Sequence, residues 1–176
     1  EILKGKTSGN LWTVCRELSC RMLMLAGIGD KDECGRLVDE AVESGEALMR
    51  FEMMVKLQGG DVSYIEDTSK FRKASFSREV YAPADGYITH MDSEKIGLTA
   101  VLLGAGREKK DDDINHAAGI IIAAKTGDFV KRGELLATLF ADDESRLDGA
   151  ESRYLFAVSI GDKKPAEQPM ILDYID

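Results

Sequence analysis

Hydrophobic positions in the first third of the chain recur at helical spacing. From Asn10, the apolar residues Leu11, Cys15, Leu18, Met22 and Leu25 fall on one face, at steps near 3.6. Asn10 is expected to cap this helix through its side-chain carbonyl, and Gly27 and Gly29 to end it. Asp30 opens a second helix with Cys34, Leu37, Val38, Ala41 and Val42 on one face, closed by Ser44 and Gly45. A third carries Leu48, Phe51, Met54 and Val55 and stops at Gly59 and Gly60. Three helices can cover part of these faces against one another. The pattern predicts a larger partner layer for the rest.

The period then changes. Residues 61–76 are polar with no sustained repeat and read as a surface linker. REVYAPADGYITHM (78–91) contains two short strands split by Pro83, Ala84, Asp85 and Gly86. SEKIGLTAVLLGA (93–105) reads as a short helix with Ser93 as N-cap and Gly104 as stop. Residues 119–125 read as a buried strand, and KTGDFVKRGELLATLFADD (125–143) as two strands around an RGE turn. The tail suggests a helix, a strand near Tyr154 to Ile160, and a last strand near Met170 to Tyr174. Helices first and strands afterwards is the order of an α+β arrangement. The expected division is a helical segment at 1–60, a linker at 61–76 and an α+β domain at 77–176.

Composition narrows the function classes. The chain has 176 residues, 44% hydrophobic and 31% charged, as in ordinary globular proteins. A net charge of -9 argues against nucleic acid or an anionic membrane as the main partner, because both need a basic footprint. No apolar run approaches the ~18–20 residues that span a bilayer. The three cysteines, Cys15, Cys20 and Cys34, lack CxxC spacing and read as reduced packing thiols of a cytosolic protein. The first residue is Glu1 rather than Met, which reads as a chain entered midway or a processed piece.

Candidate chemistry concentrates in LGAGREKKDDDINHAAGIII (103–122). A phosphate-binding dinucleotide fingerprint needs a strand before its glycines and a helix after them. Here a helix precedes and a strand follows, so Gly104 reads as a helix C-cap rather than part of a cradle with Gly106. Asp111, Asp112 and Asp113 lack the spaced acids, glycine and distal Glu of an EF-hand. They read as a solvated loop opposed by Lys109 and Lys110. His90 and His116 lie far apart in sequence with no second ligand type at metal spacing. His90 reads as the outward residue of a strand. Arg107 is a loop arginine, and its expected part is to fix the turn through its planar fork.

Two resemblances add to this reading. APADGYI (82–88) followed by KTGDFVKRGELLATL (125–139) resembles the half-motifs of biotinyl and lipoyl carrier domains. Those domains carry a lysine on an exposed hairpin, where this chain has FADDESR. The ordered set ILKG (2–5), QGGD (58–61), APADGYI (82–88), IGLTAVLLGAGR (96–107), DDDINHAAGI (111–120), GDFVKRGELLATLFADDE (127–144) and YLFAVSIGD (154–162) resembles the C-terminal portion of pyrimidine-nucleoside phosphorylases, including thymidine phosphorylase. His116 stands where that family commonly carries another residue.

The resemblance implies helices left from a large α/β domain, then a strand-rich α+β module with a barrel-sandwich-like core. It implies a cytoplasmic parent enzyme, a pentosyltransferase that uses phosphate to cleave pyrimidine nucleosides to base and (deoxy)ribose 1-phosphate. The parent is expected to be a homodimer, while this fragment can be a monomer. The family's Lys-His-Ser phosphate loop and base-holding segments do not occur here. No catalytic, phosphate-binding, substrate-binding or metal-binding residue and no cofactor is therefore assigned to this chain, which alone is expected to be inactive. A non-enzymatic binding or carrier-type module is the alternative.

Overall fold

The computed structural model describes residues 1–6, 9–107 and 109–175. The contacts divide the chain into two compact units, Glu1–Phe71 with Gln168–Asp176, and Arg72–Glu167.

The first unit holds α1 (Asn10–Leu25), α2 (Lys31–Glu43), α3 (Glu46–Leu57) and the short α4 (Ser63–Glu66). The Asp30 carboxylate caps α2 by accepting from the Glu33 N–H at 2.9 Å. Asn10 does not cap α1: the helix already includes it, and the residue before is Gly9, which makes no side-chain cap bond. The inner side of α1 meets α2. Cys20 and Cys34 are buried, and Arg16 grips both oxygens of Asp39 at 2.6 and 2.5 Å. Gly35 lies beside this pair: a Cβ there would stand 2.9 Å from Arg16 Nη2, so the guanidinium tip would have to shift. The predicted stripe of α1 faces the other way and is exposed. Periodicity marked the apolar face correctly, but no element of this unit covers it.

Residues 61–76 contain more structure than the expected linker. Asp61 and Asp67 accept from the Ser63 and Ser69 N–H groups at 2.9 and 3.0 Å, starting α4 and a 3-10 turn at Thr68–Lys70. Such Asp-led turns carry no hydrophobic period, which is why the pattern missed them. The expected strand at 170–174 is absent. Those residues group with the helices, and the Tyr174 ring lies 3.9 Å from the Arg21 guanidinium. Alternation alone cannot make a strand without a partner edge, and here a cation–π contact holds the segment.

The second unit has β1 (Phe76–Tyr81), β2 (Gly86–Met91), α5 (Ser93–Ala100), β3 (Gly119–Ile122), β4 (Phe129–Val130), β5 (Leu135–Ala141), α6 (Ser145–Ala157) and β6 (Val158–Gly161). They form two three-stranded antiparallel sheets, β1-β5-β3 and β4-β2-β6. The fold is α+β, and the sheets do not close into a barrel. Val80, Leu136 and Leu139 from one sheet, Ile88 and Val130 from the other, and Leu147, Ala150 and Tyr154 from α6 make one buried cluster. Gly86 is required by close approach: its φ is 151°, and a Cβ there would stand 2.9 Å from the Gly161 carbonyl.

Three boundaries moved. Asp92, not Ser93, caps α5, its carboxylate accepting from the Lys95 N–H at 3.1 Å. α6 runs through Tyr154 to Ala157, because Leu147, Ala150, Tyr154 and Ala157 bury one helical face. β3 is shorter than expected and is not buried through, since it is an edge strand with Ile121 exposed.

Candidate functional site

The loop singled out by the sequence follows α5 through a wide turn at Val101–Ala105, where Gly104 takes a φ of 107°. Such a backbone angle favours glycine, so Gly104 ends the helix as expected. Gly106 has a packing reason too: a Cβ there would meet Val101 Cγ2 at 2.7 Å. The Gly104 carbonyl accepts from the Asn115 N–H at 2.9 Å, and the Leu102 carbonyl accepts from Arg146 Nη1 at 3.2 Å. The loop is tied from Asn115 and Arg146. Arg107 is exposed, with no ion pair or hydrogen bond to the described residues, so its expected role in fixing the turn goes to other side chains.

Asn115 reaches further. Its Nδ2 donates to Asp142 at 2.7 Å. The same carboxylate accepts from the Ser75 N–H at 2.8 Å and the Ser75 hydroxyl at 2.9 Å, and it also pairs with Arg72. Asp142 therefore joins three segments distant in sequence. The Ser75 backbone N–H, more than any other donor, holds its carboxyl below the usual carboxylate range. Two carboxylate oxygens offer about four acceptor sites, and here four donors converge. This carboxylate holds loops together, and its four donors favour its ionised form.

The other candidates are not gathered. Asp112 accepts from the Lys109 N–H at 2.8 Å and closes a local turn, whereas Asp111 and Asp113 are exposed. His116 is exposed, and His90 points outward on β2 opposite Ser159. Among the described residues no group of three or more His, Cys, Asp or Glu is placed to hold a metal. Cys20 and Cys34 are packing thiols, and burial pushes the Cys34 thiol up. Cys15 departs from that expectation, because it lies on the exposed stripe.

Two grooves remain. One, of about 530 Å3, is lined by residues of β1, β3 and β5, among them Phe76, Ile121 and Phe140, together with Arg72 and Lys73. Arg72 is already engaged by Asp142. The other, of about 820 Å3, belongs to the helical unit and is lined mainly by apolar side chains.

Residues 87–161, within the second unit, match the family model of the pyrimidine nucleoside phosphorylase C-terminal domain. Beyond that match, most of the chain is similar to pyrimidine-nucleoside phosphorylases. It is similar to the pyrimidine-nucleoside phosphorylase of Bacillus subtilis (strain 168), 38% identical over 146 residues, 82% of this chain and 34% of that protein. For the Geobacillus stearothermophilus protein of the same name the identity is 33% over 155 residues, 88% of this chain and 36% of the other. For that of Staphylococcus aureus (strain bovine RF122 / ET3-1) it is 34% over 163 residues, 92% and 37%. The chain thus spans little more than a third of the length of these relatives. Asn115 and Asp142 fall in two of the quoted family segments, DDDINHAAGI and GDFVKRGELLATLFADDE. The sequence marked both segments. Only the fold showed that one polar pair joins them.

Proposed function

We propose that this chain is the C-terminal part of a pyrimidine-nucleoside phosphorylase, a pentosyltransferase of the cytoplasm. The whole protein would act on a pyrimidine nucleoside and phosphate to release the base and a pentose 1-phosphate. The observation that carries this reading is the match of nearly the whole chain, in order, to proteins of that name. The chain's own chemistry supports a division of labour. Phosphorolysis must hold an anionic nucleophile beside a sugar gaining positive charge, while the base gathers negative charge. That takes several converging donors and cations in a desolvated cleft. In the second unit the best such convergence, at Asp142, is consumed by structural donors. The catalytic, phosphate-binding and base-binding groups then belong to segments outside this chain. The strand-rich unit, Arg72–Glu167, acts as the module that completes the enzyme, and a homodimer would be formed by the whole protein.

The carrier-type alternative lacks its reactive group: the stretch from the end of β5 into α6 reads FADDESR, without a lysine. The test is direct. The purified chain, given uridine or thymidine in phosphate buffer, is expected to release no base. Supplied with the remainder of a family chain, it is expected to support release that requires phosphate. Phosphate-dependent base release by the 176 residues alone would overturn the reading.

A further inference from the structure

The chain leaves the helical unit at Phe71 and returns to it at Gln168, so the strand-rich unit is an insertion joined by chain at both of its ends. The returning segment has little to hold it. Among the described residues it makes no backbone hydrogen bond to the helices. Met170, Leu172 and Ile175 are 45%, 77% and 99% exposed. Its one aromatic ring is the exception. The Tyr174 ring lies 3.9 Å from the Arg21 guanidinium and 5.3 Å from Lys31 Nζ.

Those two cations come from different helices, Arg21 from α1 and Lys31 from the start of α2. Glu17 joins them. Its Oε1 accepts from Arg21 Nε at 2.9 Å and lies 3.8 Å from Lys31 Nζ. Arg21 first, and then the Tyr174 hydroxyl and Lys31, hold the Glu17 carboxyl below the usual carboxylate range. The seat is therefore set by contacts within the helices, and the ring only has to land on it. A guanidinium is planar and weakly hydrated, so it stacks readily on an aromatic face. A segment held by one such contact and no backbone ladder opens easily. Its docking is also intramolecular, so a weak contact suffices to close it.

We propose that residues 168–175 form a reversible strap, latched by the Tyr174 ring on Arg21 and Lys31. Closed, the strap ties the strand-rich unit to the helices at both ends of its chain. Open, it leaves that unit on the single tether at Phe71 and Arg72, with more freedom to reorient. One ring on two cations then governs how freely the strand-rich unit moves.

The test uses nuclear magnetic resonance on the full 176-residue chain. In the native chain the Arg21 side-chain protons should be shifted upfield by the Tyr174 ring. Tyr174→Leu, which touches no helix residue, should abolish that shift. The rotational correlation time of the strand-rich amides, from 15N relaxation, should fall about 1.5-fold in the same variant. Arg21→Gln should give the same fall, with helical circular dichroism unchanged. Tyr174→Phe keeps the ring and should behave as the native chain does. Three results would overturn the proposal: no ring shift on Arg21 in the native chain, an unchanged correlation time in Tyr174→Leu, or a Tyr174→Phe chain as mobile as Tyr174→Leu.

Discussion

The helical unit and the strand-rich unit were written with equally clear hydrophobic patterns, yet they use them oppositely. In the strand-rich unit the apolar positions of β1, β2, β5 and α6 converge on one buried cluster. In the helical unit the buried hydrophobic side chains are Cys20 and Cys34 alone among the described residues, while Leu11, Leu18, Met22 and Leu25 face outward. A period identifies a face. Whether that face is covered depends on what else is present, and the stability of a short helix comes mainly from such cover.

Substitutions can break this comparison. The largest effect is expected for Leu139→Ala on the central strand β5, where the side chain is fully buried. Truncation there should lower stability by roughly 2–5 kcal/mol, read from denaturant unfolding followed by hydrogen exchange in the strand-rich unit. An effect no larger than a surface change would mean that this core is not formed in solution.

Next comes the polar knot. Asn115→Ala removes the Nδ2 donor to Asp142 and the Oδ1 acceptor of the Ala117 N–H, and about 1–2 kcal/mol of destabilisation is expected. The same network sets an acid limb. Because its donors hold the Asp142 carboxyl below ~3.9, the stability they contribute is present above that value and lost as pH falls through the folded value. Asp142→Asn should flatten this limb in a pH series of unfolding midpoints. An unchanged limb would show that other carboxylates set it.

Tyr154→Phe should act in the opposite direction. The Tyr154 hydroxyl is buried and meets no hydrogen-bond partner among the described residues. Removing an unsatisfied buried group should stabilise by about 1 kcal/mol. Burial pushes the phenol up to about 12, so its neutral form is favoured in the fold. The resulting stability is present below the unfolded value of ~10 and lost as pH rises through the folded one. Tyr154→Phe should therefore also blunt alkaline unfolding. A loss of stability at neutral pH would reveal a bound water or another partner on that oxygen.

The helical unit should respond less. Arg16→Ala is expected to cost about 0.5–1 kcal/mol, because its pairing with Asp39 is two-pronged but half-exposed. Trp12, the single tryptophan, sits on α1 and can report this unfolding by fluorescence. The smallest effects, within about 0.5 kcal/mol, are expected for Met22→Ala in the isolated chain and for Arg107→Lys. A large loss from Met22→Ala would mean the α1 stripe is already covered. A large loss from Arg107→Lys would restore that guanidinium as the anchor of its loop.

By itself the sequence determined where most elements lie. Apolar spacing placed the three leading helices, Asp30 announced its own cap, and the Asp85-Gly86 turn separated β1 from β2, because these signals act over a few residues of chain. It also marked the family segments on either side of the polar knot. The tertiary structure decided what local signals cannot encode. β1 pairs with β5 rather than with its neighbour β2, across more than fifty residues of chain. Asp142 draws Arg72, Ser75 and Asn115 together. Arg107, a few residues before the acidic run, is left in solvent, because a long exposed side chain gains little from partners that water already satisfies. The same holds for α1: its period fixed which side is apolar, but only the packing of Cys20 and Arg16 against α2 decided that the stripe would face outward.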